Sequence, residues 1–467
     1  MKTFAILIAV WAGLPLAAQT FDRTKPPASP EPRPYKLPPV YETKLPNGFT
    51  VLLADDPRFP LVSARLVFHG GNKRDPKDIP GLAAAVASML MEGTASRSSQ
   101  QIAEELDGLG GVISANASAD AVTISSSVLA ENTPKILALM ADVAHNATFP
   151  QNELDLYRQN RKQTLNTQHA NPGFLANEEF RKRLFGETPY AHVGPTSASI
   201  DRFDQKTIAG FRDTYFVPNN GVLILVGKLP ARAQIMKTIT DQFGAWQQKA
   251  VPAWTPEATP APKRQLVLVD RPGSVQADIR MGKIGVTQNN TDYFPLSMGS
   301  LIEGGGISSR LFLDIREKRG YTYDAHTEMN PLADAGTFSA VTEVRNDVAA
   351  PALEAVLEHL DRIATEPVSK EELSDAKTFA NGSFLLSMEP QRGLADRLVQ
   401  MKVMNLPKDY LDTYTTKVNS VEPDQIESAA KKYMAPAEDA IIVVGDAAAL
   451  AEQLKKVGNF EVVKPVQ

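Results

Sequence analysis

Six histidines, His69, His145, His169, His192, His326 and His359, are the side chains here best suited to hold a metal ion or move a proton. No two lie closer than twenty-three positions, so none pairs with another at the i, i+4 spacing of a helical metal site. The carboxylates Glu178 and Glu179 have no imidazole near them in sequence and read as a solvated helix face. The chain has no cysteine, which removes thiolate ligands, a cysteine nucleophile, disulfides and a lipid on the mature N-terminus. There is no G-x-S-x-G elbow. Gly304-Gly305-Gly306 lacks the Lys-Ser/Thr ending and the strand-to-helix setting of a phosphate loop. The residues alone offer no complete catalytic set.

The elements that would position such residues are legible in outline. Asn47-Gly48 lies between ETKL and FTVLLA, a hairpin signal, and Ser63 to Phe68 adds a strand. Helical periodicity follows over Gly81–Glu92, Ser98–Leu109 and Thr133–His145, with the strand pair VISANAS and AVTISSSV between the second and third. After the proline-rich stretch VPAWTPEATPAPKR the order recurs: strand (QLVLVD), strand, helices near Pro295–Leu301 and Ser308–Arg319, strand, and a helix over Ala349–Ala364. Tyr215, Pro218 and Gly227 match Tyr433, Pro436 and Gly445, each pair 218 positions apart. This spacing points to an internal duplication. Strands in hairpins and helices in groups predict an α+β fold of two duplicated domains, each a mostly antiparallel sheet covered by helices, together clam-shaped.

Three stretches carry a resemblance. LPNGFTVLLADDPRFPLVSARLVFHGGNKRD is similar to the opening hairpin of the insulinase/pitrilysin metallopeptidases. GLAAAVASMLMEGT stands where that family has its zinc helix, and GGGISSRLFLDIREKRGYTYDA matches it in the second half. The resemblance runs from about Tyr41 to the end and is nearest to the small, processing-peptidase-like type.

It implies a zinc motif H-x-x-E-H, with two imidazoles on one helix face and a glutamate to take a proton from zinc-bound water. Here the ligand positions fall on Ala84 and Ser88 and the base on Ala87. A methyl group has no lone pair, and a neutral serine hydroxyl is a poor zinc ligand. The third ligand of the family, a glutamate, is expected within Leu156–Asn177, which contains no acid. The helix itself is undisturbed, because alanine is the best helix former. The resemblance also implies that an arginine and a tyrosine seven residues apart hold the peptide substrate. IREKRGYTY places Arg316 and Tyr323 at that spacing, and both can donate hydrogen bonds to a peptide carbonyl. Tyr321 is expected on the same strand face as Tyr323, without that role.

Composition sets the remaining expectations. With 467 residues, 43% hydrophobic, the chain exceeds one ordinary core. Its net charge of −5 comes from interspersed signs, which speaks against nucleic acid or a membrane surface as partner. Residues 1–18 read as a cleaved signal peptide and residues 19–40 as a proline-rich arm. A domain with the degenerate zinc helix is expected over 41–246, a linker over 247–264, and a domain with the Arg/Tyr pair over 265–467. A cysteine-free exported chain suits the bacterial periplasm, with no membrane span after signal cleavage. The expected role is a non-catalytic subunit that needs no cofactor of its own. A homologous zinc-bearing partner would supply the metal, and peptides would be the substrates. The alternative is an envelope peptide-binding or scaffolding protein with no part in proteolysis.

Overall fold

The computed structural model describes residues 36–465; the leader and the arm up to residue 35 lie outside the described residues. The first half supplies strands β1 (Val40–Lys44), β2 (Thr50–Asp55), β3 (Leu61–His69), β4 (Val112–Ala117), β5 (Ala121–Leu129) and β6 (Gly221–Gly227). Its helices are α1 (Leu82–Met89), α2 (Ser99–Leu109), α3 (Thr133–Asn146), α4 (Gln151–His169), α5 (Pro172–Phe185), α6 (Ser197–Asp201), α7 (Gln205–Tyr215) and α8 (Arg232–Phe243). The second half supplies β7 (Gln265–Asp270), β8 (Gln276–Ile284), β9 (Thr322–Pro331), β10 (Gly336–Arg345), β11 (Ala440–Gly445) and β12 (Glu461–Val463). Its helices are α9 (Tyr293–Gly304), α10 (Ala349–Thr365), α11 (Lys370–Met388), α12 (Gln391–Val403), α13 (Tyr410–Asn419), α14 (Pro423–Tyr433) and α15 (Ala447–Leu454).

The strands form two six-stranded sheets, ordered β1-β2-β6-β3-β5-β4 and β12-β7-β11-β8-β10-β9. Five strands of each match in order and direction. In both sheets the strand that closes the half lies parallel to the one that opens it, β6 on β2 and β11 on β7. The sixth position differs: antiparallel β1 fills it in one sheet and parallel β12 in the other. The fold is α+β and duplicated. The 218-residue repeat has a physical basis, because Pro218 and Pro436 each open a one-turn 3-10 helix feeding the closing strand. Gly227 ends its strand at φ +148, where a Cβ would meet the Leu61 carbonyl oxygen at 2.2 Å.

Each half has its own core. On the first sheet, alternate residues such as Val51, Leu53, Leu223 and Leu225 pack under α1, α3 and α7. On the second, Leu268, Ile441 and Val443 pack under α9, α10 and α14. The opposite faces are also covered, and the cover is exchanged between halves. Leu175, Phe180 and Phe185 of α5 pack on Val267, Val269, Ile442 and Val444 of the second sheet. Helix α12 of the second half lies on β3 and β6 of the first. Each such Phe or Leu contributes roughly 1.5–3 kcal/mol, so the halves are held by far more than the linker.

Two local expectations change. The helix anticipated over Ser308–Arg319 is a π-helix from Phe312 to Lys318, closed by the Arg319 N–H donating to the Asp314 carbonyl five residues back. The shared face expected for Tyr321 and Tyr323 is also absent. Tyr321 precedes β9 and packs against the second core, whereas Tyr323 is 87% exposed. A β-bulge opposite Glu343 sets two β9 residues, Tyr323 and Asp324, against one, so Tyr323 lies in the bulge and the alternation from Tyr321 is broken.

Candidate functional site

Helix α1 begins at Gly81, at φ +88, where a Cβ would sit 2.6 Å from the Pro195 ring. Gly81 offers no side chain to cap the helix, so Asp75 does so from the preceding loop. Its carboxylate accepts from Gly81 N at 2.7 Å and Ala83 N at 2.8 Å. Burial outweighs these donors and pushes the Asp75 carboxyl up to about 7.

The face of α1 that matters carries Ala84 and Ser88, one turn apart. Ala84 lines a pocket of about 180 Å³ with Asn72, Asp75, Arg161, Glu187 and His192. Ser88 is exposed and lines an adjoining groove with Tyr157, Asn160, Arg161 and Thr164 of α4, together with Glu92 and Glu153. Ala87 points elsewhere, into the first core, with 2% of its surface exposed. The wall that α4 contributes to this groove brings a phenol, an amide, a guanidinium and a hydroxyl from Tyr157, Asn160, Arg161 and Thr164, with the one α4 carboxylate in it, Glu153, nearer the helix start. Burial pushes the Tyr157 phenol up, with the Arg161 charge and the Ser88 hydroxyl opposing.

These side chains do not fit zinc. A methyl and neutral hydroxyls are poor donors, and the permanent charge of Arg161 repels a cation. Among the described residues no group of three or more His, Cys, Asp or Glu could hold a metal ion. Burial pulls the His192 imidazole down, with Glu187 opposing.

Glu178 and Glu179 are not a solvated face, because α5 is pressed against the second sheet. Glu179 is buried and pairs with Arg183 at 2.6 Å. Glu178 has an imidazole partner after all, His169 at 3.6 Å, which the chain reversal between α4 and α5 brings round.

In the second half, Arg316 lies on the π-helix with its guanidinium 4.6 Å from the Phe312 ring centre and 3.4 Å from Glu317. Tyr323 stands at the start of β9. Tyr323 is exposed and Arg316 half-buried, and among the described residues no hydrogen bond or ring contact joins them. On the same strand His326 is bracketed by Asp324 at 2.7 Å and Glu328 at 3.4 Å. The Glu328 hydrogen bond, with the charge of both carboxylates, raises its pKa. Asp75 and Arg161 were not singled out from sequence, and His326 was named only as one of six scattered histidines. Arg161 was the one discoverable member, as a basic residue inside the acid-free window.

The chain matches two family descriptions: "Insulinase (Peptidase family M16)" over residues 50–192 and "Peptidase M16 inactive domain" over residues 202–379. An "Uncharacterized zinc protease" of Rickettsia bellii is 27% identical, over 74% of this chain and 83% of its own. The "Uncharacterized zinc protease YmxG" of Bacillus subtilis is 22% identical, over 83% of this chain and 93% of its own. Among solved structures, a peptidase M16 inactive domain from Pseudomonas fluorescens superposes with TM-score 0.82 and 27% identity, covering 87% of this chain and 98% of the other. A protease from Helicobacter pylori has the same fold, with TM-score 0.79 and 18% identity, covering 88% of this chain and 100% of the other.

Proposed function

Because this chain belongs to the insulinase (M16) peptidase family, as a small-type homologue, we propose that it acts as a non-catalytic subunit of a zinc peptidase. One observation carries the reading. The helix face that would hold the metal presents Ala84 and Ser88, and Arg161 stands beside both. The scaffold persists while its chemistry is gone.

In this reading a homologous partner supplies the zinc, and this chain supplies Arg316 and Tyr323. Their N–H and O–H donors fix the peptide carbonyl beside the scissile bond and stabilise charge growing on its oxygen. The exposure of Tyr323 and the half-exposure of Arg316 support this, since neither is committed to the core. The proposed setting is the periplasm, resting on the apolar leader at residues 1–18. Among the described residues no helix is long and apolar enough to cross a membrane.

The test pairs metal analysis with complementation. Dialysed protein should hold far less than stoichiometric zinc and should not cleave unfolded peptides alone. Mixed with a zinc-bearing homologue from the same organism, it should give activity that neither shows separately. A stoichiometric zinc, or no gain on mixing with any such homologue, would sink the subunit reading. The second outcome favours an envelope protein that binds peptides without cleaving them.

A further inference from the structure

The altered helix face has gained a cation. Arg161 stands one turn from both Tyr157 and Thr164 on α4 and borders the Ala84 pocket as well as the Ser88 groove. Its neighbours on α4 are committed: Arg158 and Lys162 both pair with Asp201. Arg161 makes no ion pair among the described residues, and its hydrogen bond is a long one, Nη1 to Gln168 Oε1 at 3.3 Å. None of its nitrogens is buried without a partner, and Nη2 points to the pocket wall, 3.4 Å from where a Cβ would stand on Gly194. A guanidinium in that state presents a planar fork matched to a carboxylate.

Two further features bear on what enters. Asn72, in the wall of the same pocket, has its Oδ1 buried with no donor, so a half-turn of the amide exchanges it with Nδ2 and sets the oxygen to accept an N–H from the ligand. Ala117, the last residue of edge strand β4, also lines the pocket. An incoming extended chain therefore meets a strand with unpaired backbone groups. A dianion such as a phosphate suits the pocket poorly, because Asp75 and Glu187 share it with Arg161, and the second cation in its wall, Lys77, is paired with Glu257. A monoanionic group carrying an adjacent N–H meets every requirement.

Building on the peptide-binding reading above, we propose that this pocket binds the C-terminal carboxylate of a peptide, with the Arg161 fork holding the two oxygens and Asn72 Oδ1 accepting the N–H of the terminal residue. The position that serves metal-dependent cleavage in active relatives is here a receptor for a chain end, the part of a peptide that cleavage produces.

The experiment uses the full chain in chelator-treated buffer and a fluorescein-labelled pool of randomised short peptides, made once as free acids and once as carboxamides. Equilibrium dialysis reads the affinity of each pool. Free acids should bind about tenfold tighter or better, the scale of a charge-assisted hydrogen-bonded pair. Arg161→Met should bring the acids to the level of the amides, and Arg161→Lys should restore part of the difference. Both variants should melt as the wild type does, since Arg161 is half-exposed. If wild type binds acids and amides equally, the carboxylate receptor is wrong while peptide binding stands. Absence of binding for both pools removes the two together. A preference for acids that survives in Arg161→Met also overturns the assignment. Should Arg161→Met fail to fold, the wild-type comparison and the lysine variant still decide.

Discussion

Arg65 of β3 and Asp396 of α12 meet at 2.7 Å, across 331 positions of sequence. The arginine is buried and faces away from the first core, so α12 is what closes over it. Near the start of the same helix, Gln391 Nε2 donates to the Asp56 carbonyl at 2.7 Å. Helix α5 makes the reciprocal packing on the second sheet. A third lock is polar: Lys73 lies 2.9 Å from both Asp120 and Asp334, and Tyr190 and Trp254 also donate to Asp334.

Asp396→Ala should destabilise the protein by only about 1 kcal/mol, because the carboxylate is largely exposed and Arg65 retains two backbone carbonyls. Phe180→Ala should cost about 3–5 kcal/mol, through the cavity left between α5 and the second sheet. In both variants urea unfolding followed separately in each half should remain one transition. Separate transitions in the wild type would show that the exchanged helices do not couple the halves.

The linker should be cut without the halves parting. Residues 255–264 are exposed and rich in proline, so limited proteolysis should nick there early. The fragments should nevertheless elute together and separate only in denaturant, since α5 and α12 each stay on the opposite sheet. Two independently eluting folded fragments would refute this.

Asp439 should leave a signature in the pH dependence of stability. It is fully buried, and burial pushes its carboxyl up from 3.8 to about 7, with Lys283 at 3.3 Å opposing. The folded pKa lies above the unfolded one, so the folded state holds the proton more tightly. That contribution is present below the unfolded value and is lost as pH rises through the folded one. Asp439→Asn should flatten the decline in stability across this window by roughly 4 kcal/mol. Asp75 and Asp278, raised by burial to about 7 and about 6, act in the same direction and should remain in the variant. An unchanged slope would show that Asp439 keeps an ordinary pKa.

Restoring two histidines should not restore a metal site. Ala84→His with Ser88→His should bind zinc weakly, because α4 carries no acid between Leu156 and His169, Thr164 standing in the groove instead, and Arg161 repels the ion. Adding Thr164→Glu, which lies in the Ser88 groove, together with Arg161→Met should tighten binding by about tenfold or more. Calorimetric titration with zinc checks both, and equal affinity in the two variants would show that Arg161 and the missing acid do not matter.

In a complemented peptidase, Arg316→Ala should lower kcat by about 100-fold, the scale for one lost donor at a developing oxyanion. Tyr323→Phe should act more weakly, since it removes a neutral donor and keeps the ring. Tyr321→Phe should change little, because that ring packs against the second core. Both subunits should still co-elute in every variant. Full activity in Arg316→Ala would make the pair structural.

The sequence by itself determined the elements, the repeat and the altered site. Hydrophobic periodicity, the Asn47-Gly48 turn and the Tyr/Pro/Gly triplet are local signals, and local signals fix local structure. The loss at Ala84, Ala87 and Ser88 was equally readable, because one helix sets their spacing. The tertiary structure alone decided the exchange of α5 and α12, the burial of Glu179 and the pairing of Glu178 with His169. It also decided which α4 side chains stand beside Ser88, and the bulge that separates Tyr321 from Tyr323. A periodic helix shows that it has an apolar face, but which sheet covers that face depends on contacts hundreds of positions away. Arg161 matters for the same reason: its charge is written in the chain, whereas its lack of an ion pair among the described residues exists only once α4 is packed beside α1.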